Sequence, residues 1–544
     1  MINTSDKSVR SLAIVLAWKD PAWISLLESE GLAWELLDTS NLTRYPPEVM
    51  VIPRQTPAKI YRICSDLVSM GTTAIAEILP PDSSASVSRV SFSFPYHRED
   101  YAGLENNQIP GAVSVSCICS NEGKWYHLPF SLVNFWCAGD TGRKCLMVDP
   151  ARKIVVFERL AQIVKKNLRR LILDVLHQAF FERHLPLVHK WYWPGHSRSI
   201  FCFRGDLDGG PAENLRCYLD TVRPFAGSVT LFVCTSLYRD NPAIIKSLVE
   251  AGIEVQSHTH CHYVFPEGRT NNRNLEMAER FLSAFGTKTS GLVAPAYFWH
   301  PSLHTILAKR GYQYSCCFGL GHDHLPYYPV VNGKINPVLE IPFHCLGDFF
   351  PRFHIELDSP VTRKFFSELM AKKYAAGEPM NLYGHPDMVG RLGSSPKLVR
   401  FLYEQAMSYP DIWTGQLSRL ASWWNRRKEF VFQPFYDPKR QCVICRFPDG
   451  QVLREDVPAV SIHMPGGTWC LADFHACSGS GLAIDQLKAG SALRLPQPTD
   501  VGEVIYSPEN PSFREKLWYY KKNWNRRIQK YRELYFDGTA KSQY

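Results

Sequence analysis

Short apolar runs alternate with amphipathic stretches along most of the chain. Between residues 198 and 428 the runs have the length of buried strands, and the stretches repeat apolar residues every three or four positions, as helices do. The predicted strands are SIFCFRGD, GSVTLFVCT, GIEVQSH, GLVAPAY, VLEIPFH and PMNLYGH. The helix patterns between them mostly begin at Pro, Ser or Asn and end at Gly. Repeated strand–helix units predict a (β/α) barrel-like domain over 195–428.

Residues 1–150 show the same alternation on a smaller scale. Apolar runs at 12–18, 33–38 and 49–53, with helix patterns that end at Gly31 and Gly71, predict a small α/β domain with a parallel sheet. VSVSCICS and KWYHLPF add two predicted strands of the same or a neighbouring sheet. The region has neither a nucleophile elbow nor a glycine-rich phosphate loop, so the sequence assigns it no chemistry.

Three further segments complete an α/β multidomain organisation. Residues 155–184 have helical apolar periodicity and predict a long amphipathic helix within a helical linker at 151–194. Short apolar runs separated by turn residues predict a small antiparallel β domain at 429–505. The segment 506–544 predicts a basic helix with Trp and Tyr along it, which packs on the body, lies on anionic lipid or binds an acidic polymer.

Composition narrows the classes of function. The chain has 544 residues, too many for one core, and a net charge of +9. That charge is modest for the length, and no zinc-finger, RNP-like or basic-zipper pattern occurs, so no nucleic-acid partner is expected. The longest apolar runs fall short of a membrane span or signal core, which predicts a cytoplasmic protein whose 16 cysteines are mostly buried thiols.

Polar side chains follow three of the predicted strands. Asp206 and Asp208 end the first strand, His258 and His262 follow the third, and His385 follows the last. In α/β barrels these carboxyl ends form the rim that carries the active site. His258 and His262 are four residues apart, so they share one face if the segment turns helical. Two imidazoles and one carboxylate suit an open site for Zn²⁺, with Co²⁺ or Ni²⁺ as alternatives.

A chemical assignment follows from these groups. Asp208 would be the third metal ligand and Asp206 the general base, although the reverse assignment stays open. Spacing two on a strand puts both carboxylates on one face. A metal in an open site polarises a carbonyl and lowers the pKa of its water. With His385 as the proton donor to a leaving amine, the set is sufficient to hydrolyse an amide.

Residues 195–425 resemble the polysaccharide deacetylases, the NodB-homology carbohydrate esterases. In that family Asp-Asp-Gly supplies a base and a metal ligand, and His-Ser/Thr-x-x-His supplies two ligands; RGDLDGG and HTHCH occupy those places here. LYGH is similar to the family's late Leu-x-x-His, which implies that His385 is the general acid. VAPAY is similar to the Arg-x-Pro motif and implies substrate contacts at Pro295, Tyr297 and Trp299, whose aromatic rings would stack on sugars.

Two departures from the family pattern stand out. Leu207 separates the aspartates, and Val293 stands where the family has the arginine that orients the catalytic aspartate. Arg204 lies two residues before Asp206, on the same strand face, and is expected to replace that arginine.

The expected function is metal-dependent removal of an acetyl group from an N-acetylated sugar or glycan intermediate. A lipid-linked or nucleotide-linked precursor at the inner membrane face would fit the basic C-terminal helix, which would contact the membrane peripherally. Two alternatives remain. One is a hydrolase of another C–N amide bond, and the other is a catalytically degraded glycan-binding or scaffold protein of polysaccharide assembly, which Val293 favours.

Overall fold

The structure is a computed structural model. It describes residues 9–40, 46–78, 87–93, 112–120, 122–136, 143–148, 154–160, 165–295, 299–318, 325–343, 356–447, 457–478, 481–483 and 512–535. Within these ranges the chain forms one N-terminal sheet, one central parallel sheet, two small antiparallel sheets and two hairpins.

The N-terminal sheet is mixed and contains seven strands. The elements of this region are β1 (Arg10–Ser11), β2 (Ile14–Leu16), α1 (Pro21–Glu30), β3 (Trp34–Leu36), β4 (Val49–Ile52), α2 (Ala58–Ser69), β5 (Thr73–Ala76), β6 (Val87–Ser93), β7 (Ala112–Ser120), β8 (Gly123–His127) and α3 (Leu132–Trp136). The strand order is β3-β2-β4-β5-β8-β7-β6, and the pairs from β3 to β8 are parallel. The predicted strands VSVSCICS and KWYHLPF form β7 and β8 of this same sheet.

The segment that follows is part strand and part helix. Its elements are β9 (Arg143–Val148), β10 (Ile154–Leu160), α4 (Lys165–Phe181) and β11 (Leu187–Lys190). The prediction of one continuous helix over 155–184 is wrong in its first part, because IVVFERL pairs with β9 as an antiparallel hairpin. Its β-branched and aromatic residues favour a strand.

The central region supplies the parallel sheet and its helices. Its elements are β12 (Ser199–Leu207), α5 (Ala212–Val222), β13 (Val229–Val233), α6 (Pro242–Glu250), β14 (Glu254–Ser257), α7 (Gly268–Ser283), β15 (Gly291–Leu292), α8 (Pro301–Arg310), β16 (Tyr314–Ser315), β17 (Val330–Val331), β18 (Lys334–Ile335), β19 (Leu339–Glu340), α9 (Pro360–Ala375), β20 (Met380–Gly384), α10 (Pro396–Met407), β21 (Ile412–Thr414) and α11 (Leu417–Glu429). The six strands predicted here correspond to β12, β13, β14, β15, β19 and β20.

The central sheet is an open half-barrel rather than a closed barrel. Its order is β19-β16-β15-β14-β13-β12-β20, every neighbouring pair is parallel, and β21 pairs with the start of β12. Within the described residues, the edge strands β19 and β20 do not pair with each other. The parallel arrangement still brings the carboxyl ends of β12, β14 and β20 to one rim, which is what positions the site.

The two faces of β12 enter different cores. Phe201, Phe203 and Leu207 pack into one apolar cluster with residues of α5 and α10. Cys202 enters a second cluster, which contains Val293 and residues of β13, β16 and β20. Because side chains alternate along a strand, Arg204 and Asp206 share the face of Cys202, inside the curved sheet.

The C-terminal strands join elements from earlier in the chain. The remaining elements are β22 (Gln433–Asp437), β23 (Cys442–Arg446), β24 (Val460–His463), β25 (Trp469–Ala472), α12 (Phe474–Cys477), β26 (Leu482–Ala483) and α13 (Phe513–Tyr535). One small sheet is β1-β22-β23-β26, and the other is β11-β24-β25. The antiparallel β structure predicted after residue 429 is therefore present, but each sheet includes a strand from outside that segment.

Helix α13 agrees with the predicted basic C-terminal helix. In the part of the chain that the structure describes, no helix has both the length and the apolar composition that a bilayer span requires.

Candidate metal centre

Four polar side chains converge on the rim of the central sheet. One carboxylate oxygen of Asp208, Oδ1, lies 2.9 Å from Nε2 of His262 and 3.4 Å from Nε2 of His258. The other oxygen, Oδ2, lies 3.4 Å from Nε2 of His385. Strand β12 sits between β13 and β20 in the sheet, which is why residues far apart in sequence meet here.

Three of these residues fit a divalent metal ion. The ligand atoms of Asp208, His258 and His262 all lie within 4.8 Å of one another. Oδ1 of Asp208 and Nε2 of His262 are buried and make no hydrogen bond of acceptable geometry, although only 2.9 Å separates them. Nδ1 of His258 faces the carbonyl oxygen of Val293 at 2.9 Å, so it carries the proton and leaves the Nε2 lone pair for a ligand.

The electrostatics favour the protonation states that bind metal. Burial alone would raise the pKa of Asp208, but His262, His258 and His385 hold that pKa well below its ordinary value. Burial also lowers the pKa of His262, although Asp208 opposes this. The carboxyl group is therefore charged and the imidazole of His262 neutral near pH 7, and those are the forms that bind metal ions.

The backbone between the two histidines is not helical. A helical turn was expected there from the sequence, because a helix would put His258 and His262 on one face. Residues 258–262 form bends, with Thr259 at φ 66° and His262 at φ 52°. Positive φ is costly for a β-branched residue, and such strain concentrates at functional sites. These left-handed residues, rather than a helical turn, bring His258 and His262 to one side.

Helix α7 holds this loop from below. Oδ1 of Asn274 accepts hydrogen bonds from the backbone N–H groups of His260 (3.1 Å) and Cys261 (2.9 Å), and its Nδ2 donates to the carbonyl of Tyr263 at 2.8 Å. Nδ1 of His260 is 2.8 Å from the hydroxyl of Thr235, so His260 supports the loop and is not part of the metal-ligand group. Asn274 carries no motif, and sequence reasoning missed it.

A buried ion pair lies next to the metal-ligand group. Arg204 donates from Nε to Oδ1 of Asp206 at 2.9 Å and from Nη2 to Oδ2 at 2.8 Å. Both residues are almost fully buried. Nη1 donates to the carbonyl of Cys316 at 3.0 Å, and the guanidinium lies 4.9 Å from the ring centre of Tyr383. The side chain of Val293 packs in the same apolar cluster as Cys202. Residue 293 therefore supplies no guanidinium to Asp206.

A further carboxylate, Asp387, anchors the turn after β12. Its Oδ2 accepts hydrogen bonds from the N–H of Asp208 (2.8 Å), the N–H of Gly210 (2.8 Å) and the hydroxyl of Tyr238 (2.6 Å). Burial raises the pKa of Asp387. A Cβ at Gly210 would lie 1.9 Å from the carbonyl oxygen of Asp387, so only glycine fits there. Its position two residues after His385, in LYGHPD, was the available sequence signal.

The three residues predicted to contact substrate are Pro295, Tyr297 and Trp299, and the structure describes two of them as buried. Trp299 is only 5% exposed, and its ring packs edge-on against His304 and tilted against Phe318 in an apolar core. The prediction that Trp299 stacks on a sugar therefore disagrees with the structure. Pro295 is buried as well. Tyr297 lies outside the described residues.

Comparison with known proteins bears on residues 207–315, which match the family model named polysaccharide deacetylase. The chain contains a polysaccharide deacetylase family domain. The matched segment includes Asp208, His258 and His262, whereas Arg204 and Asp206 lie just before it and His385 well after it. The metal-ligand group thus lies inside the deacetylase match, and the other polar groups of the site are known from the geometry.

Three of the solved structures that are similar to this chain each match less than half of it. A protein from Mycobacterium smegmatis assigned to the polysaccharide deacetylases is 19% identical, with 44% of this chain and 94% of that one covered and a TM-score of 0.39. A family 4 carbohydrate esterase from Streptomyces lividans is 13% identical, with 40% of this chain and 93% of that one covered and a TM-score of 0.29. A CE4 family pseudoenzyme from Bacillus anthracis is 14% identical, with 42% of this chain and 68% of that one covered and a TM-score of 0.30. No curated protein matches the chain.

Proposed function

We propose that the central region hydrolyses the acetyl amide of an N-acetylated sugar or glycan. The observation that carries this proposal is the Asp208–His258–His262 group, which lies inside the deacetylase match and has buried ligand atoms without hydrogen bonds. A carboxylate and two imidazoles are the donor set of an open catalytic metal site.

The contacts at the rim support a role for each residue. Asp208, His258 and His262 would hold a divalent ion, and Zn²⁺ suits this mixture of nitrogen and oxygen ligands, with Co²⁺ or Ni²⁺ as alternatives. When bound, such an ion supplies a Lewis acid for the carbonyl and lowers the pKa of water.

Two further groups would move protons. Asp206 would accept a proton from the attacking water, because the two hydrogen bonds from Arg204 fix its carboxylate in orientation. His385 would protonate the leaving amine, since its Nε2 lies 3.4 Å from Oδ2 of Asp208 on the same rim.

The substrate would be an intermediate linked to a lipid or a nucleotide, and the reaction would take place at the cytoplasmic face of a membrane.

A non-catalytic glycan-binding role is the second candidate, because Val293 stands where the resembled family has its arginine. The bidentate Arg204–Asp206 pair counts against it, since this pair places a guanidinium on the expected base. A binder would take up sugar and release no acetate.

The first experiment is metal analysis of the full chain followed by an acetate-release assay on N-acetylglucosamine oligomers. We expect about one divalent ion per chain, lost in Asp208→Ala and His258→Ala. His475→Ala is the matched control, because this exposed histidine lies outside the rim. Asp206→Asn is expected to keep the metal and to lose activity by a factor of about 100 or more, as removal of a general base does.

Metal analysis tests the metal centre, and the acetate assay distinguishes a deacetylase from a glycan-binding protein. A chain that binds no metal after reconstitution would contradict the metal centre. A chain that binds metal and glycan, and releases no acetate from any N-acetylated sugar tested, would support the binding protein instead.

A further inference from the structure

Helix α13 carries an apolar stripe that is exposed over most of its length. Phe513, Leu517, Tyr520, Trp524 and Ile528 recur at spacings of three and four, so they lie on one face. Their exposed fractions are 79%, 60%, 62%, 62% and 42%. Isolated exposed apolar residues are ordinary, but a continuous row of aromatic and aliphatic side chains on one helix marks an interaction surface.

The far end of the same helix is anchored on the central domain. Leu534 is fully buried in a cluster with Cys261, Tyr263 and Phe265, and the ring centre of Tyr531 lies 4.8 Å from that of Phe265. The apolar face of α13 is therefore covered by the body at its last turns. Nearer the start of the helix, Phe513, Leu517 and Trp524 are 79%, 60% and 62% exposed.

The charges on α13 complement an anionic surface. The helix contains eight Lys or Arg residues and two Glu residues. At 100° per residue, Arg514 and Lys521 lie along one edge of the apolar stripe, and Lys516 lies along the other. Basic side chains that flank a row of Trp, Tyr, Phe and Leu are the composition of helices that lie in a membrane interface.

We propose that the exposed stripe of α13 docks the protein on the surface of a membrane containing anionic lipid. The aromatic rings would enter the headgroup region, and the flanking cations would pair with lipid phosphates. A single-stranded nucleic acid fits less well, because such partners are bound in basic grooves with stacking platforms, and here the rings lie on the exposed face of a single helix.

Helix α13 also contacts a residue of the candidate metal centre. Nη2 of Arg526 lies 3.1 Å from Nδ1 of His262 and donates a hydrogen bond to the carbonyl oxygen of His262 at 3.5 Å, and Arg527 pairs with Glu267 at 2.9 Å. Membrane docking would therefore hold the rim of the central sheet close to the bilayer. If the deacetylase function proposed above is correct, on which this step rests, the substrate is an N-acetylated sugar on a lipid carrier.

Vesicle co-sedimentation of the full chain tests the docking without metal or substrate. We expect binding to vesicles of phosphatidylcholine mixed with phosphatidylglycerol, weak binding to phosphatidylcholine alone, and loss of binding at high salt. The variant Leu517→Glu/Trp524→Glu should weaken binding at least about tenfold. Trp18→Glu is the matched control, because Trp18 is 42% exposed elsewhere on the protein, and it should bind as the wild type does.

Charge reversal gives a second, independent variant. Lys516→Glu/Lys521→Glu, one lysine from each edge of the stripe, should weaken binding to anionic vesicles by about tenfold or more. The control Lys246→Glu/Lys364→Glu reverses two lysines that are 66% and 78% exposed on other helices, and should have little effect. Circular dichroism and metal content establish that each variant is folded.

Several results would overturn the proposal. These are absence of vesicle binding, equal binding to neutral and anionic vesicles, tighter binding to single-stranded RNA than to vesicles, and self-association that the stripe variants abolish. Emission typical of a buried ring at Trp524, measured before lipid is added as the difference between the wild type and Trp524→Phe, would also contradict it, since another segment of this chain would then cover the stripe. Failure of the acetate assay leaves vesicle binding untouched, so the two proposals fail separately.

Discussion

Arg204 and Asp206 show how much a single pair of side chains decides at this site. Both are almost fully buried, and two hydrogen bonds of 2.9 and 2.8 Å join them in a fork. A buried ion pair of this kind adds little net stability, but removal of one partner leaves an uncompensated charge inside the protein. Spacing two on a strand was enough to predict that they share a face.

The variant Arg204→Ala should therefore destabilise the central domain by about 3 kcal/mol or more and abolish most activity, with little loss of metal. Denaturant unfolding, metal analysis and acetate release measure the three effects. Arg216→Ala is the matched control, because Arg216 forms an exposed pair with Glu213 at 3.0 Å, which should contribute no more than about 0.5 kcal/mol. Unchanged turnover in Arg204→Ala would rule out its role in orienting Asp206.

At the scale of single elements, the loop after β14 is the decisive piece. The sequence located its two histidines by their spacing after a predicted strand, but a helical turn was the expected way to align them. The observed loop instead uses positive φ at Thr259 and His262. Local propensity disfavours that backbone, so it is held by contacts with α7, which no short-range pattern encodes.

Asn274→Ala should therefore weaken metal binding by about ten- to a hundredfold, as loss of groups that orient metal ligands does. The variant removes the two hydrogen bonds that Asn274 accepts and the one it donates to the loop. Isothermal titration with Zn²⁺ measures the change. Asn272→Ala on the same helix serves as the control, because its Oδ1 accepts from Arg310 at 2.9 Å away from the loop. Equal affinities in the two variants would show that the loop holds its shape without Asn274.

At the scale of the whole molecule, one apolar core joins regions that the sequence separates. Residues of the N-terminal sheet, α4, β11 and the C-terminal strands β22 to β25 pack into a single cluster. His177, His189 and His463 lie together in this region, with Nε2 of His189 3.1 Å from Nε2 of His463. Burial lowers the pKa of His177 and of His189 to about 4, so both are neutral in the folded protein.

This histidine cluster makes folding stability depend on pH. The unfolded chain binds protons below about pH 6.5, whereas the folded chain binds them only near the lowered pKa values. The stabilisation is complete above pH 6.5 and is lost as the pH falls toward 4, by about 2 kcal/mol per histidine at pH 5.

Thermal unfolding between pH 7 and pH 5 checks this expectation. His177→Phe should reduce the fall in stability, because it removes one proton-binding group from a site already packed against Phe181. His475→Phe, at an exposed histidine, should leave the pH profile unchanged. The same pH profile in wild type and His177→Phe would exclude the cluster as its source.

The sequence by itself determined the features that depend on short-range patterns. Apolar periodicity located the six predicted central strands. Polar residues at the ends of those strands identified Asp208, His258, His262 and His385 as candidates. Both could be predicted because the position of a strand and the direction of its side chains depend on residues close together in sequence. Tertiary structure decided the rest. The pairing of β1 with β22 and of β11 with β24, the burial of Trp299 and the anchoring of the rim by Asp387 and Asn274 all join distant residues. Such contacts depend on which surfaces meet in the folded chain, and no local spacing records that.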